Sequence, residues 1–262
     1  MKNIDRIVQP RQSFQTSTET GAVMTIQHKK ERKYVPEITS PLRGDIIKMP
    51  GVIAECSGIR IYGKRIKSII FTTDAAQAIN HNADALIAVY PFTPHPAITR
   101  AIIGISPVPV FAGVGGGTTG GKRCAQIAMF AESQGAVGLV VNSPTTLETI
   151  RDIKAVVDIP IVCTIVTEYM DIESRVEAGV QIFNVSGADR TVDIVKSIRT
   201  RYPTIPIIAT GGSTDETILR TIQAGANAIT YTPPTSAQLF KLKMDKYRKM
   251  AQDEYESRHQ LS

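Results

Sequence analysis

The chain has 262 residues, 42% of them hydrophobic, with 30 Lys/Arg against 24 Asp/Glu and a formal net charge of +6. That length suits one barrel-sized domain with some extra sequence, and it can bury a large core. No apolar run reaches the roughly eighteen residues that a membrane span needs, and Met1-Lys2-Asn3-Ile4-Asp5-Arg6 lacks the apolar stretch of a secretion signal. Cys56, Cys124 and Cys163 lie far apart and form no CxxC pair, which predicts reduced thiols in a cytoplasmic protein.

The charge is uneven: residues 1–67 hold 13 Lys/Arg and 6 Asp/Glu, so they carry +7 and residues 68–262 carry −1. Residues 1–44 are polar, without helical or strand periodicity, and close on Ser40-Pro41-Leu42-Arg43-Gly44; they read as a basic, partly disordered arm. Its stretch His28-Lys29-Lys30-Glu31-Arg32-Lys33 has no interleaved aromatics to stack on bases, so a solvated tail is expected rather than a nucleic-acid-binding one. Residues 45–66 follow, and Ile59-Arg60-Ile61-Tyr62-Gly63-Lys64-Arg65-Ile66 predicts a hairpin turning near Gly63-Lys64 that covers the bottom of whatever comes next.

From residue 67 to 262 the pattern is strand, helix, strand, helix. The run Lys67-Ser68-Ile69-Ile70-Phe71 begins it, and proline leads three further apolar runs, at Pro109, Pro160 and Pro206. A proline at a strand's first residue has no ladder bond to lose. The runs beginning at Ala83, Gly135, Gly179 and Gly225 are entered through small residues, as where a helix closes on a left-handed cap. A repeat of about 45 residues holding two strands and two helices is a quarter of a barrel. Eight such strands predict a single (β/α)8 TIM barrel, an α/β fold, with its chemistry on the loops after the strands. After Pro233-Pro234, Thr235 and Gln238 have capping-box spacing, and Phe240, Met244, Tyr247 and Ala251 predict the buried stripe of a last helix.

Those loops supply the candidates in chain order. Asp74, after the first barrel strand, is a helix N-cap or a general base. His95, in the proline-rich loop after the second, is an acid–base candidate or a surface histidine. After the third strand, Gly113-Val114-Gly115-Gly116-Gly117-Thr118-Thr119-Gly120-Gly121-Lys122-Arg123 has the G-x-x-x-x-G-K spacing, but Arg123 stands where a nucleotide loop has Ser or Thr. NTPase chemistry is therefore not expected. Gly115, Gly116, Gly117 and Lys122 read as an anion cradle or a lid. Asn142 and Asn184 are amides at or inside apolar runs and need partners; Glu168 is a second carboxylate candidate, or a favourable charge in a helix's first turn. Gly211, Gly212 and Ser213 precede a helix, where free N–H groups and a partial positive charge favour a phosphate. No lysine lies in a strand's C-terminal half and no cluster has metal-ligand spacing, so neither a Schiff base nor a metal is predicted.

The stretch Ile159–Tyr231 resembles the phosphate-binding superfamily of barrels, through Glu177-Ala178-Gly179, Ile205-Pro206-Ile207-Ile208-Ala209-Thr210-Gly211-Gly212 and Ala224-Gly225-Ala226-Asn227-Ala228. That superfamily includes thiazole synthase, N-acylmannosamine-phosphate epimerase, the small phosphogluconate aldolases and, with FMN, nitronate monooxygenase. The whole chain is also similar to a group of bacterial barrels sometimes called hydrolases. The resemblance implies a phosphate held after the seventh strand. Such barrels usually complete the phosphate cup with a Gly-Ser pair after the eighth strand. Here the sequence is Thr230-Tyr231-Thr232-Pro233-Pro234-Thr235-Ser236, so Thr232, Thr235 and Ser236 would have to rebuild it.

These features predict an enzyme, of isomerase, epimerase or lyase type, acting on a small phosphorylated molecule by acid–base chemistry, its phosphate held by the glycine loops after strands three and seven. No cofactor is required. The alternatives are an FMN-binding oxidoreductase of nitronate-monooxygenase type and a non-catalytic small-molecule-binding protein. A homo-oligomer is expected.

Overall fold

A computed structural model describes Pro36 and residues 38–259. The stretch His28–Lys33 and nearly all of the 1–44 arm lie outside the described residues, which begin in earnest with a helical turn, α1 (Pro41–Gly44). A short 3-10 segment (Gly51–Glu55) leads to the hairpin, β1 (Ile59–Ile61) and β2 (Lys64–Ile66), paired antiparallel. Its turn is Tyr62-Gly63, one residue earlier than the sequence pattern suggests, with φ of 45° and 81°. Two left-handed residues give the turn whose twist matches that of the flanking strands.

The barrel strands are β3 (Ser68–Phe71), β4 (Ala85–Ala88), β5 (Val110–Gly115), β6 (Gly138–Val141), β7 (Ile161–Ile165), β8 (Val180–Val185), β9 (Ile207–Thr210) and β10 (Ala228–Tyr231). They pair in parallel in the order β10-β3-β4-β5-β6-β7-β8-β9 and close. Between them run α2 (Ala75–Ile79), α3 (Pro96–Ile105), α4 (Gly121–Ser133), α5 (Leu147–Lys154), α6 (Ile172–Ala178), α7 (Thr191–Arg201) and α8 (Asp215–Gln223), with α9 (Ser236–His259) last. The fold is the predicted α/β TIM barrel. The proline-led strands work as their chemistry requires: the carbonyls of Pro109, Pro160 and Pro206 accept the N–H groups of Leu86, Leu139 and Phe183 at 2.9, 2.9 and 3.0 Å. The proline nitrogen, with no hydrogen, has nothing to leave unpaired.

Alternation along each strand sorts the core into two sides. Ile69, Ile87, Phe111, Val140, Val162, Ile182, Ile208 and Ala228 cluster inside the barrel. Their sequence neighbours Leu139, Ile161, Cys163, Phe183, Ile207 and Ile229 cluster with helix residues such as Ile150, Ile153, Ile194 and Ile218 on the outside. Ile59, Ile61 and Ile66 of the hairpin join the inner cluster. They enter at the N-terminal ends of the strands, since Gly58 N–H donates to Asn227 O and the N–H groups of Lys67 and Ser68 donate to Asp84. The hairpin therefore plugs the bottom.

The outer wall over β10 and β3 is closed by an unexpected element. Ile53 and Cys56 belong to the same outer cluster as Ile218 and Ile229, and Ile47 and Met49 pack on the cluster containing Ile70 and Ala78. Ile47 is fixed there by hydrogen bonds with Asn80 and Asn82. The chain before the hairpin thus occupies the wall position where a last barrel helix was expected to lie. The predicted buried stripe of α9 is accordingly not buried: the helix has no buried residue, and Phe240 and Tyr247 are 66% and 56% exposed.

Candidate functional site

At the top of the barrel the inward-facing positions change character. Two residues beyond an inner apolar side chain, the same face carries Asn142 (after Val140), Thr164 (after Val162), Asn184 (after Ile182), Thr210 (after Ile208) and Thr230 (after Ala228). These five come from β6 to β10, or just past the strand end for Asn142. On the opposite side, β3 to β5 present Phe71, Val89 and Gly113. The mouth thus has a polar half and an apolar half. Asn184 Nδ2 donates to Thr164 Oγ1 over 3.5 Å, at the limit of a hydrogen bond. Asn184 Oδ1 and Thr230 Oγ1 are buried with no hydrogen-bond partner. Native structures pair buried polar atoms with protein groups, ordered water or a ligand almost without exception, and no protein group of the described residues serves these two. Above Gly113 and Val140, a small cavity of about 20 Å³ is lined by Tyr90, Phe92, Pro94, Gly115 and Asn142. It holds a water and no more.

The sequence pointed to Asn142 and Asn184 and overlooked Thr164, Thr210 and Thr230. The signal was present: each threonine stands two residues after an inner apolar residue of its strand. Threonine's preference for strands hides such a substitution within a β pattern.

The two glycine loops lie on the same rim but on opposite sides, because β5 and β9 are four strands apart in a ring of eight. One phosphate group reaches only one of them. In the β9 loop, Gly211 is buried, Gly212 (φ 86°) and Ser213 are exposed, and the N–H groups of Gly212 and Ser213 have no partner among the described residues. Thr214 and Thr217 cap α8 reciprocally, each hydroxyl accepting the other's N–H, at 3.3 and 3.2 Å. The free donors therefore lie just ahead of a capped helix start, where its dipole supplies positive potential.

The β5 loop is different. Gly116 N–H donates to Thr119 O at 2.8 Å, Asn142 N–H donates to Gly115 O, and Thr119 Oγ1 donates to Thr93 Oγ1. A Cβ on Gly116 would fall 1.8 Å from Thr145 Oγ1. Close packing against the β6 loop thus explains this glycine without a ligand. Gly117 is exposed with open space around it, and Lys122 is exposed in the first turn of α4.

The three acid–base candidates are each engaged. Asp74 caps α2, accepting Gln77 N–H at 3.0 Å, and accepts Ser236 Oγ–H at 2.7 Å. The Ser236 bond, then the Gln77 bond, hold its carboxyl below the usual carboxylate range. Glu168 contacts Arg190 through both oxygens at 2.6 Å, and that pairing lowers its pKa as well. His95 caps α3: Nδ1 accepts Ala97 N–H at 3.2 Å, and its own backbone N–H donates to Tyr90 Oη at 2.6 Å. With Nδ1 accepting, the neutral ring carries its proton on Nε2. Asp74 and His95 occupy adjacent loops, after β3 and β4, while Glu168 follows β7 across the mouth. Among the described residues no group of three or more His, Cys, Asp or Glu is placed to hold a metal ion.

The loop after β10 does not complete a phosphate cup from the hydroxyls named for it. Thr235 is engaged with Gln238 in a cap, Ser236 is bonded to Asp74, and Pro234 O accepts Gln77 Nε2–H. Thr232 alone remains.

No protein-family model and no curated protein matches the chain. Solved structures do. The chain is similar to a 2,3-dimethylmalate lyase described as a PEP mutase/isocitrate lyase superfamily member, with TM-score 0.54, 14% identity, and coverage of 81% of this chain and 87% of that one. It is also similar to a phosphoenolpyruvate phosphomutase from Streptomyces platensis subsp. rosaceus (0.52, 11%, 71% and 83%). A mandelate oxidase matches at 0.54 and 16% identity over 71% of each chain. The likeness is one of fold. Among the described residues, no helix is long and apolar enough to cross a membrane.

Proposed function

We propose that this barrel is an enzyme of isomerase or lyase type that binds a small phosphorylated molecule across its C-terminal rim. The observation that carries this reading is the pair of buried, unpartnered atoms, Asn184 Oδ1 and Thr230 Oγ1, in a polar layer at the barrel mouth. A ligand's hydroxyl or amide groups would complete their bonding. The N–H groups of Gly212 and Ser213 beside Thr210 and Thr230 would take the phosphate. The mutase and lyase names of similarly folded proteins agree with this class of reaction.

The chemistry open to these residues is proton transfer beside a carbonyl. His95 would offer Nε2–H to the carbonyl oxygen, where negative charge develops. Asp74, ionised at neutral pH, would take the proton once substrate displaces Ser236 from its carboxylate. Glu168, tied to Arg190, would orient the far end of the ligand. Gly115, Gly116, Gly117 and Lys122 would form the opposite rim. A carboxylate with a lowered pKa is a weak base, so the exchange of Ser236 for substrate is an essential part of the reading.

The test is a thermal-shift and calorimetry panel of sugar phosphates, phosphorylated hydroxyacids, inorganic phosphate and FMN on the native chain. A ligand at about a hundred times its Kd stabilises by roughly 2.7 kcal/mol, several degrees for a domain of this size. The expected hit is phosphorylated, binds Thr230→Val and Asn184→Ala at least tenfold more weakly, and exchanges a carbon-bound hydrogen with deuterated water in the wild type. Binding of FMN with a yellow complex, or hits indifferent to both substitutions, would overturn the reading.

A further inference from the structure

The helix α9 is out of place in a finished monomer. It runs for 24 residues, about 36 Å, and no residue in it is buried. A helix takes most of its stability from packing an apolar face. Here Phe240, Met244, Tyr247 and Ala251 recur at the four-three-four spacing of a coiled-coil seam, and Tyr255 continues the stripe one turn on. Phe240, Tyr247 and Tyr255 are all more than half exposed. The barrel wall offers them no seat, because Ile47, Met49, Ile53 and Cys56 already close it over β10 and β3.

The charges along α9 select the partner. The first part of the helix holds Lys241, Lys243, Lys246, Arg248 and Lys249 with one acid, Asp245, and of these Lys243 is paired with Asp45 of the same chain. Asp253, Glu254 and Glu256 face one base, Arg258, in the last part. A second copy laid parallel would set the basic part on the basic part. A second copy laid antiparallel about the middle of the stripe sets the Lys241 end of each helix on the Asp253–Glu256 end of the other, in both halves of the contact at once. That self-complementarity is the property of a two-fold interface, in which the same patch serves both subunits. Acidic residues late in a helix and basic ones early also oppose the helix dipole, and an antiparallel partner supplies the compensating charges. We propose that α9 forms an antiparallel two-helix contact with α9 of a second copy of this chain, making the protein a dimer in solution.

Sedimentation velocity of the full chain, over a range of protein and salt concentrations, tests this. The expected mass is that of a dimer, which weakens as salt rises. Phe240→Glu with Tyr247→Glu gives a monomer with the barrel's circular dichroism and melting cooperativity intact. Reversing Asp253, Glu254 and Glu256 to Lys also gives a monomer, and mixing that protein with one carrying Lys241→Glu, Lys246→Glu and Lys249→Glu, which leaves the Lys243–Asp45 pair intact, restores the dimer mass. The direction is read separately, with spin labels on Ser257→Cys; the three native cysteines are buried. Antiparallel pairing puts the labels about 30 Å apart, whereas parallel pairing puts them about 10 Å apart, the interaxial distance. A monomeric wild type, a dimer indifferent to the Phe240 and Tyr247 changes, or the short label distance would each overturn the proposal.

Discussion

The lower and upper layers of the barrel interior are made by the same strands, two residues apart, and they obey different rules. Below, Val140, Val162, Ile182, Ile208 and Ala228 pack against each other and against the hairpin isoleucines, and all are buried. Above, Asn142, Thr164, Asn184, Thr210 and Thr230 replace them, and two of their atoms are buried without a partner. The lower layer is explained by folding alone. The upper one is not, since apolar residues of the same shape would bury as well without unpaired oxygens. Barrels place stability at the bottom and chemistry at the top, and here the change from apolar to polar falls along β6 to β10 and not along β3 to β5.

Exchanging the rules of the two layers should break the protein in one direction only. Ile182→Asn puts an amide where no partner exists, beside side chains that are fully buried. We expect a loss of about 3–5 kcal/mol or failure to fold, read by chemical denaturation. The reverse exchange, Thr230→Val, removes an unpaired hydroxyl, so stability should change by less than about 0.5 kcal/mol or rise, while ligand binding falls. A large loss of stability in Thr230→Val would mean that the hydroxyl has a structural partner after all.

Within the β5 loop, two neighbouring glycines differ in the same way. Gly116→Ala forces a side chain into the left-handed region at φ 103° and against Thr145, at a cost of about 2–4 kcal/mol. At Gly117, with an ordinary φ and nothing within 4 Å, alanine should be neutral to within about 0.5 kcal/mol. Parallel denaturation curves of the two variants check this, and equal effects would contradict the packing account of the β5 loop.

A third unpartnered atom, His81 Nε2, lies at the other end, between α2 and β4. Burial holds its imidazole below the ordinary histidine range. The unfolded chain therefore takes up the proton first as pH falls. The stability that neutral His81 contributes is complete above the unfolded value of about 6.5 and is lost as pH drops toward the folded value. The melting temperature should fall below pH 6.5, and His81→Asn, which keeps an acceptor for Ala83 N–H, should flatten that slope. Ligand binding should not follow this titration, since His81 is far from the mouth. A binding profile that tracked it would blur the division between the two ends.

Much of this was readable from the chain. The proline-led strands, the spacing of the glycine turns and the Thr235–Gln238 cap all predicted elements that the structure contains, because each is a local rule with a local cause. The hairpin was legible too, with its turn one residue early because Tyr62 as well as Gly63 takes a left-handed φ. What stayed hidden depends on distant parts of the chain. Periodicity marks α9 as amphipathic, but cannot show that Ile53 and Met49 already hold the wall. Likewise, the sequence offers Asp74 as a cap or a base and Glu168 as a base or a first-turn charge, and it does not show that Ser236 and Arg190 lie beside them. The polar layer was written in period two, but across five strands that meet only when the barrel closes.

The proposed function places a phosphorylated guest between the β9 loop and the polar layer at the mouth. Amide and side-chain NMR during titration with the best phosphorylated hit tests it most directly. The account predicts the largest shifts at the backbone amides of Gly212 and Ser213 and at the Asn184 side-chain amide, saturating together with one dissociation constant. Shifts confined to the basic surface around Lys122 and Arg123, with Asn184 unmoved, would contradict it.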